Sequence, residues 1–176
     1  MPDISSLLNS APEEFAYCPR CAAPLITRLV YDKPRRACPE CSYIYFTDPK
    51  VGVGVFVISE GKLLLIQRRV EPQKGKWSVP AGFLDRGEDP KVTAVREALE
   101  ETNLHVEVEE LIDVYFNPGA AGPGASIFVL YRARLLGGDL CPGDDAADAR
   151  FFALDDLPEI AFASARDAIQ RLTANS

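Results

Sequence analysis

Three carboxylates on one side of a single helix constrain this 176-residue chain more than any other feature. The segment runs Gly82-Phe-Leu-Asp-Arg-Gly-Glu88-Asp-Pro-Lys-Val-Thr-Ala-Val-Arg96-Glu97-Ala-Leu-Glu100-Glu101-Thr-Asn-Leu104. Asp89 suits an N-cap, Pro90 the first helical position, and Asn103 the left-handed residue that ends a helix. Val92, Val95 and Leu99 recur at helical spacing and predict the buried side. Glu97, Glu100 and Glu101 stand at i, i+3 and i+4 and therefore share a face. Like charges placed so cost roughly 0.2–0.5 kcal/mol per pair on an exposed helix. Arg96 reaches Glu100, but one guanidinium does not balance three carboxylates. The face is either a solvated acidic stripe or a cation site, and oxygen ligands in this number suit Mg²⁺ or Mn²⁺.

A net charge of −7 and a pI near 4.8 argue against broad binding to nucleic acid or to an anionic membrane. They leave phosphate substrates open, because a metal and a few basic side chains invert charge locally. The N-terminus lacks a basic region followed by an apolar run, and no stretch approaches a membrane-spanning length. A cytoplasmic location is therefore expected. The length accommodates one domain of about 130 residues with a small accessory module.

Cys18-Pro-Arg-Cys21 and Cys38-Pro-Glu-Cys41 supply that module. Two C-x-x-C knuckles sixteen residues apart fit a Cys₄ zinc site. So short a segment buries too little apolar area to fold alone, so Zn²⁺ would supply the missing stability. A disulfide pair would need an oxidising compartment, and a redox pair would not need two knuckles. Four protein ligands leave no open position, so this Zn²⁺ is read as structural. Cys141 has no partner in sequence and reads as an apolar filler or a surface thiol. The ribbon is placed at residues 17–46, after a lead-in over 1–16, with Leu25 to Tyr31 in a hairpin. It carries a local basic excess in Arg20, Arg28, Lys33, Arg35 and Arg36.

Beyond residue 47, strands are expected over Val51–Ile58, Leu63–Arg68, Leu104–Phe116, Ser126–Leu135 and Phe151–Leu154. Gly52 and Gly54 mark a strand that something approaches closely. A flexible glycine loop is expected from Asn117 to Gly124, and a terminal helix from Ser164, its cap, to Leu172. The class is α/β.

The 82–104 segment resembles the Nudix box, G-x5-E-x7-R-E-U-x-E-E-x-G-U, where U is aliphatic. It departs at one fixed position, Asn103 for Gly. The resemblance implies an α/β/α sandwich over residues 47–176, behind the small N-terminal zinc ribbon. Carried over residue by residue, it implies Glu97, Glu100 and Glu101 as ligands of Mg²⁺ or Mn²⁺, together with the Gly82 carbonyl. Arg96 would orient the glutamates, Glu88 would support them, and Glu97 would act as base toward water. Members of the family often take a base from a later loop. Here Asp145 and Asp148 stand where Glu is frequent, and Asp148 is the preferred candidate.

A zinc ribbon ahead of a Nudix domain resembles two groups. The NADH pyrophosphatases follow the box with a Ser-Gln-Pro-Trp array, and this chain has Phe116-Asn117-Pro118-Gly119 instead. The ADP-ribose and FAD pyrophosphatases fit better, through Asp48-Pro49-Lys50-Val51, Lys76 to Phe83 and Phe151 to Leu154. The expected reaction is hydrolysis of ADP-ribose or FAD to AMP and the other monophosphate, with Trp77, Phe83, Phe116 and Tyr115 available to stack on a ring. NADH or NAD is the alternative substrate. An alternative of another class is a non-catalytic module that senses nucleotides or binds nucleic acid. The expected partner is a small dinucleotide or nucleotide sugar rather than nucleic acid or membrane, and a homodimer follows by analogy alone.

Overall fold

The computed structural model describes residues 15–118 and 125–174. The expected lead-in lies almost entirely outside them, as does most of the glycine loop at 117–124. The chain divides into two compact units at Asp48/Pro49.

In the first unit, β1 (Ile26–Val30) and β2 (Lys33–Ala37) form an antiparallel hairpin closed by Tyr31 and Asp32. Both turn residues have positive φ, 50° and 59°, as a two-residue hairpin turn of the primed type demands. Each cysteine knuckle likewise ends on a left-handed residue, Ala22 at φ 59° and Ser42 at φ 60°. The Cys18 N–H donates to the Ala23 carbonyl (2.8 Å) and the Cys38 N–H to the Tyr43 carbonyl (2.7 Å), so both knuckles fold back alike. Among the described residues its apolar cluster is Cys18, Leu25 and Cys38, with Ala23, Cys41 and Tyr43 against it, and Ala37 is buried as well.

The second unit is a mixed sheet between two helices. Its strands are β3 (Lys50–Ser59), β4 (Lys62–Arg68), β5 (Trp77–Ser78), β6 (Ala81–Phe83), β7 (His105–Asn117), β8 (Ser126–Gly137) and β9 (Ala146–Ala153). The order is β5-β4-β3-β8-β7, with β6 also on β3 and β9 also on β4. Only β3 and β8 pair in parallel. Alternation along β3 sends Val53, Val55 and Val57 to one face and Phe56 to the other. Helix α1 (Pro90–Thr102) covers the valine face through Ala94 and Ala98; helix α2 (Ala163–Ala174) covers the other through Ala165, Ala168 and Ile169. The result is the expected α/β/α sandwich.

Three local expectations are corrected. The buried side of α1 is Thr93, Ala94, Glu97, Ala98, Glu101 and Thr102, while Val92 and Leu99 are 56% and 38% exposed. Small side chains let the helix lie close on the sheet, and they turn two glutamates inward with them. The last helix starts at Ala163, because the Arg166 N–H already donates to the Phe162 carbonyl; Ser164 is therefore a buried helical residue and not the cap. Strand β9 begins five residues before Phe151, its first half held to β4 through Arg150↔Leu65 and Asp148↔Gln67.

Candidate active site

Helix α1 is fixed at both ends. The Asp89 carboxylate accepts from the Lys91 N–H at 2.8 Å and Pro90 follows it; Asn103 (φ 57°) closes the last turn by donating to the Leu99 carbonyl. Such an N-cap contributes about 1 kcal/mol. Between these ends, Arg96 gathers the acidic residues. Its Nε donates to Glu88 Oε1 (3.0 Å) and Nη2 to Glu88 Oε2 (3.2 Å), a forked pair. Its Nη1 is shared by Glu97 Oε1 (2.7 Å) and Glu100 Oε2 (2.9 Å), and Nη2 also reaches the Phe83 carbonyl (3.2 Å). One guanidinium thus ties the loop before the helix to two of its three glutamates.

Glu101 is outside this network. It is 4% exposed, and its carboxylate accepts from the Ala81 N–H at 2.9 Å. Burial pushes its carboxyl up to about 8, against the pull of that N–H. Burial raises Glu97 too, with Arg96 pulling the other way, whereas hydrogen bonding to Arg96 holds Glu88 down at about 2. Gly82, on β6 opposite Val53, has no side chain for a reason: a Cβ there would collide with the Glu97 carboxylate.

The donor set fits a hard divalent cation. Two buried carboxylates, one exposed one held by Arg96 and a nearby backbone carbonyl offer only oxygen, and the buried Glu101 carboxylate is met by the Ala81 N–H rather than by a basic side chain. The three carboxylates do not converge on a point, because Arg96 sits between Glu97 and Glu100. Among the described residues, the cluster of ligand atoms all within 4.8 Å of one another is the cysteine set, Cys18, Cys21, Cys38 and Cys41. There the Cys18 and Cys41 sulfurs are 3.5 Å apart, as are those of Cys21 and Cys38. A tetrahedron with Zn–S bonds of 2.3 Å has edges of about 3.8 Å, so the set has the size zinc needs. It is too open for disulfides. Burial raises the Cys18 thiol, but N–H groups of Arg20 and Cys21 and the adjoining sulfurs bring it down to about 7.

A cavity of about 470 Å³ opens beside Glu97 and Glu101. Its rings are Phe83, Phe128 and Phe162, its cation is Arg68, and its further acids are Glu71, Asp144 and Asp145. Arg68 lies 5.0 Å from the Phe162 ring centroid, and its Nε donates to the Pro72 carbonyl at 2.8 Å. The ring that approaches β3 at its glycines is Phe128: a Cβ on Gly52 would lie 3.2 Å from it, and one on Gly54 would overlap it. The segment 138–143 that leads to the acids is seated on the end of α1. The Cys141 N–H donates to the Thr102 carbonyl (3.0 Å), the Gly143 N–H to the Glu101 carbonyl (3.1 Å), and Asn103 Nδ2 to the Asp139 carbonyl (2.9 Å).

Of the sequence-derived candidates, the structure brings Glu97, Glu101, Gly82, Phe83 and Asp145 to the cavity, with Glu100 joined to them through Arg96. It does not bring Asp148 there. That side chain is on β9, accepting from the Ala149 N–H (2.8 Å) and paired with Arg150 (2.6 Å). Trp77 is packed edge-on against Phe152 in the core under α2, with ring centroids 4.7 Å apart. Phe116 is 69% exposed and outside the cavity lining, and Tyr115 donates to Asp167 (3.1 Å). Arg68, Phe128, Phe162 and Asp144 carried no motif of their own. The Gly52-x-Gly54 spacing signalled a close approach to β3, and the group that makes it is the Phe128 ring.

An acidic helix beside an aromatic cavity, carried on such a sandwich, is an arrangement suited to metal-assisted attack on a phosphate. A model of the NUDIX domain matches residues 48–172. The chain is 38% identical over 120 residues to an ADP-ribose pyrophosphatase of Methanocaldococcus jannaschii, covering 68% of this chain and 71% of that protein. It is 30% identical over 144 residues to the NAD-capped RNA hydrolase NudC of Chromobacterium violaceum, covering 81% of this chain but only 51% of the relative. A NUDIX hydrolase from Nitrosomonas europaea superposes with a TM-score of 0.83 at 36% identity, over 92% of each chain. The chain belongs to the NUDIX hydrolase family. Among its described residues, no helix is long and apolar enough to cross a membrane.

Proposed function

We propose that the chain hydrolyses the pyrophosphate linkage of ADP-ribose, giving AMP and ribose 5-phosphate. The observation that carries this reading is the placement of Glu97 and Glu101 at the wall of a cavity that also presents three phenylalanine rings and Arg68. The rings offer faces for adenine, and Arg68 offers a guanidinium for phosphate. The M. jannaschii relative, named an ADP-ribose pyrophosphatase, supports the same substrate.

Glu97, Glu100 and Glu101, with the Gly82 carbonyl, would hold Mg²⁺ or Mn²⁺. Such an ion neutralises phosphoryl charge and lowers the pKa of water. Arg96 keeps Glu97 and Glu100 at fixed separation and draws the 85–88 loop onto the helix. Glu97, largely excluded from water, is the first candidate to accept a proton from the attacking water, and Asp144 in the same cavity is the second. Asp148 is withdrawn from that role because Arg150 and its own strand hold it. Cys18, Cys21, Cys38 and Cys41 would hold Zn²⁺ for stability alone, since four thiolates leave no position for water.

The test is a panel of ADP-ribose, FAD, NADH and NAD with Mg²⁺, with products separated by chromatography. ADP-ribose should be the best substrate, and Glu100→Gln should lower turnover by roughly a hundredfold or more. Preference for NADH or NAD would move the assignment to the dinucleotides, a reading that the C. violaceum relative favours. No turnover above the Glu100→Gln level on any of the four would defeat the enzymatic reading.

A further inference from the structure

The net charge of −7 conceals a basic surface in the first unit. Residues 15–48 hold five Lys and Arg against three carboxylates. In the β1–β2 register, Arg28 faces Arg35 directly and Val30 faces Lys33. Cross-strand partners lie on the same side of a ribbon, and so do residues two apart, so Arg28, Arg35 and Lys33 form one cationic face. Like charges set directly opposite destabilise a hairpin. Among the described residues none of the three makes an ion pair. Arg35 is instead steered by the Val30 carbonyl (2.6 Å) and lies 5.0 Å from the Phe46 ring centroid. A recess of about 400 Å³ opens beside Lys33, Arg35 and Phe46, with Asp48 at its rim.

The hairpin tip adds an independent observation. Tyr31 is 78% exposed and sits at φ 50°, where a primed turn favours Asn or Gly and a bulky side chain is strained. Neither packing nor backbone geometry explains an aromatic there. Phe46, 44% exposed beside Arg35, is a second accessible ring.

We propose that this face docks single-stranded nucleic acid: Arg28, Lys33 and Arg35 take backbone phosphates, and Tyr31 and Phe46 stack on bases. A cation row with flanking exposed aromatics is the combination that holds a single strand without reading its sequence. The surface lies on the Cys₄ ribbon, and the proposal stands independently of the substrate assigned to the sandwich.

The test uses the full chain loaded with zinc and a fluorescein-labelled single-stranded RNA of about twelve nucleotides, read by anisotropy. Three phosphate contacts predict a slope near −2 for log affinity against log salt. That is roughly a twentyfold loss between about 50 and 200 mM. Arg28→Glu with Lys33→Glu should lower affinity more than tenfold and flatten the slope toward about −0.7. Tyr31→Asn should weaken binding by between about fivefold and a hundredfold with the slope unchanged. It should also raise the stability of the hairpin, because Asn accepts the left-handed conformation. Loss of binding with a gain in stability is a result that a structural role for Tyr31 does not produce. One bound zinc per chain and dispersed ribbon amide resonances in all three substitutions verify the fold. No binding at about 50 mM salt, or affinity indifferent to the charge reversals, overturns the proposal. So does equal binding to inorganic polyphosphate or anionic vesicles with no effect of Tyr31→Asn, which would mark a merely electrostatic surface.

Discussion

Replacing Arg96 by Ala separates a structural arginine from a solvated one. Its side chain is 30% exposed, and its partners range from Glu97 at 9% through Glu88 at 15% to Glu100 at 43%. The Glu100 bridge is an exposed i,i+4 pair, and losing it costs about 0.3–0.5 kcal/mol. Glu97 is different: removing the cation strands a buried carboxylate, and breaking such a pair costs about 3 kcal/mol or more. The forked pair with Glu88 adds about 1 kcal/mol for a charge-assisted contact open to water. Arg96→Ala should therefore destabilise the metal-free chain by about 4–5 kcal/mol, a fall in Tm on the order of 10 °C for a protein of this size. Arg96→Lys keeps the charge but not the fork, and should recover less than half. The carboxylates left behind should seek another cation, so millimolar Mg²⁺ should stabilise Arg96→Ala more than the parent chain. Urea and thermal unfolding of the three proteins near pH 7, with and without Mg²⁺, measure all of this. A loss below about 1 kcal/mol would place Arg96 among ordinary surface arginines and refute the account of the site as a network closed on one guanidinium.

Gly82→Ala forces a Cβ into the Glu97 carboxylate, so activity should fall at least tenfold and need higher Mg²⁺, checked by steady-state kinetics against metal concentration. Chelation of zinc, or Cys38→Ser, should collapse the amide resonances of Cys18, Leu25 and Ala37 toward random-coil positions, since these buried residues pack around the cysteine set. Burial, then the bond to Asp167, raises Tyr115 to about 12 from the usual 10. A neutral phenol is thus favoured in the fold. Its contribution is complete below pH 10 and fades as pH rises from 10 toward 12. Unfolding free energies across that window should show the parent losing its advantage over Tyr115→Phe.

The acidic helix was readable because its signals are local. Asp89, Pro90 and Asn103 each act on backbone within a turn, and the i, i+3, i+4 spacing of the glutamates needs no tertiary information. The cysteine set was readable for the same reason. What escaped the sequence depends on contacts between distant strands. Val92 and Leu99 have the right period for a core face, but the sheet selected the Ala94–Ala98 side, where small residues allow closer approach. Asp148 and Asp145 differ little as letters in an acidic run. Pairing of β9 with β4 separates them, turning Asp148 toward Arg150 and leaving Asp145, with Asp144 beside it, at the cavity. Phe128 was announced only indirectly, by the glycines it covers.

The seating of residues 138–143 on the end of α1 limits how this site can change. The Cys141 and Gly143 amides fill carbonyls that any helix leaves open at its C-terminus, and Asn103 holds Asp139 from the same turn. A Cβ on Gly138 or Gly143 would strike the backbone of Asn103 or Glu100. An inserted or deleted residue between 138 and 143 would unseat the last turn, which carries Glu100 and Glu101. The two residues that follow, Asp144 and Asp145, face the cavity with no such tie to the helix end. Divergence in substrate range is therefore channelled into exchanging those side chains at constant loop length. A library that randomises positions 144 and 145 should yield folded proteins far more often than one that varies the length of the loop beneath them.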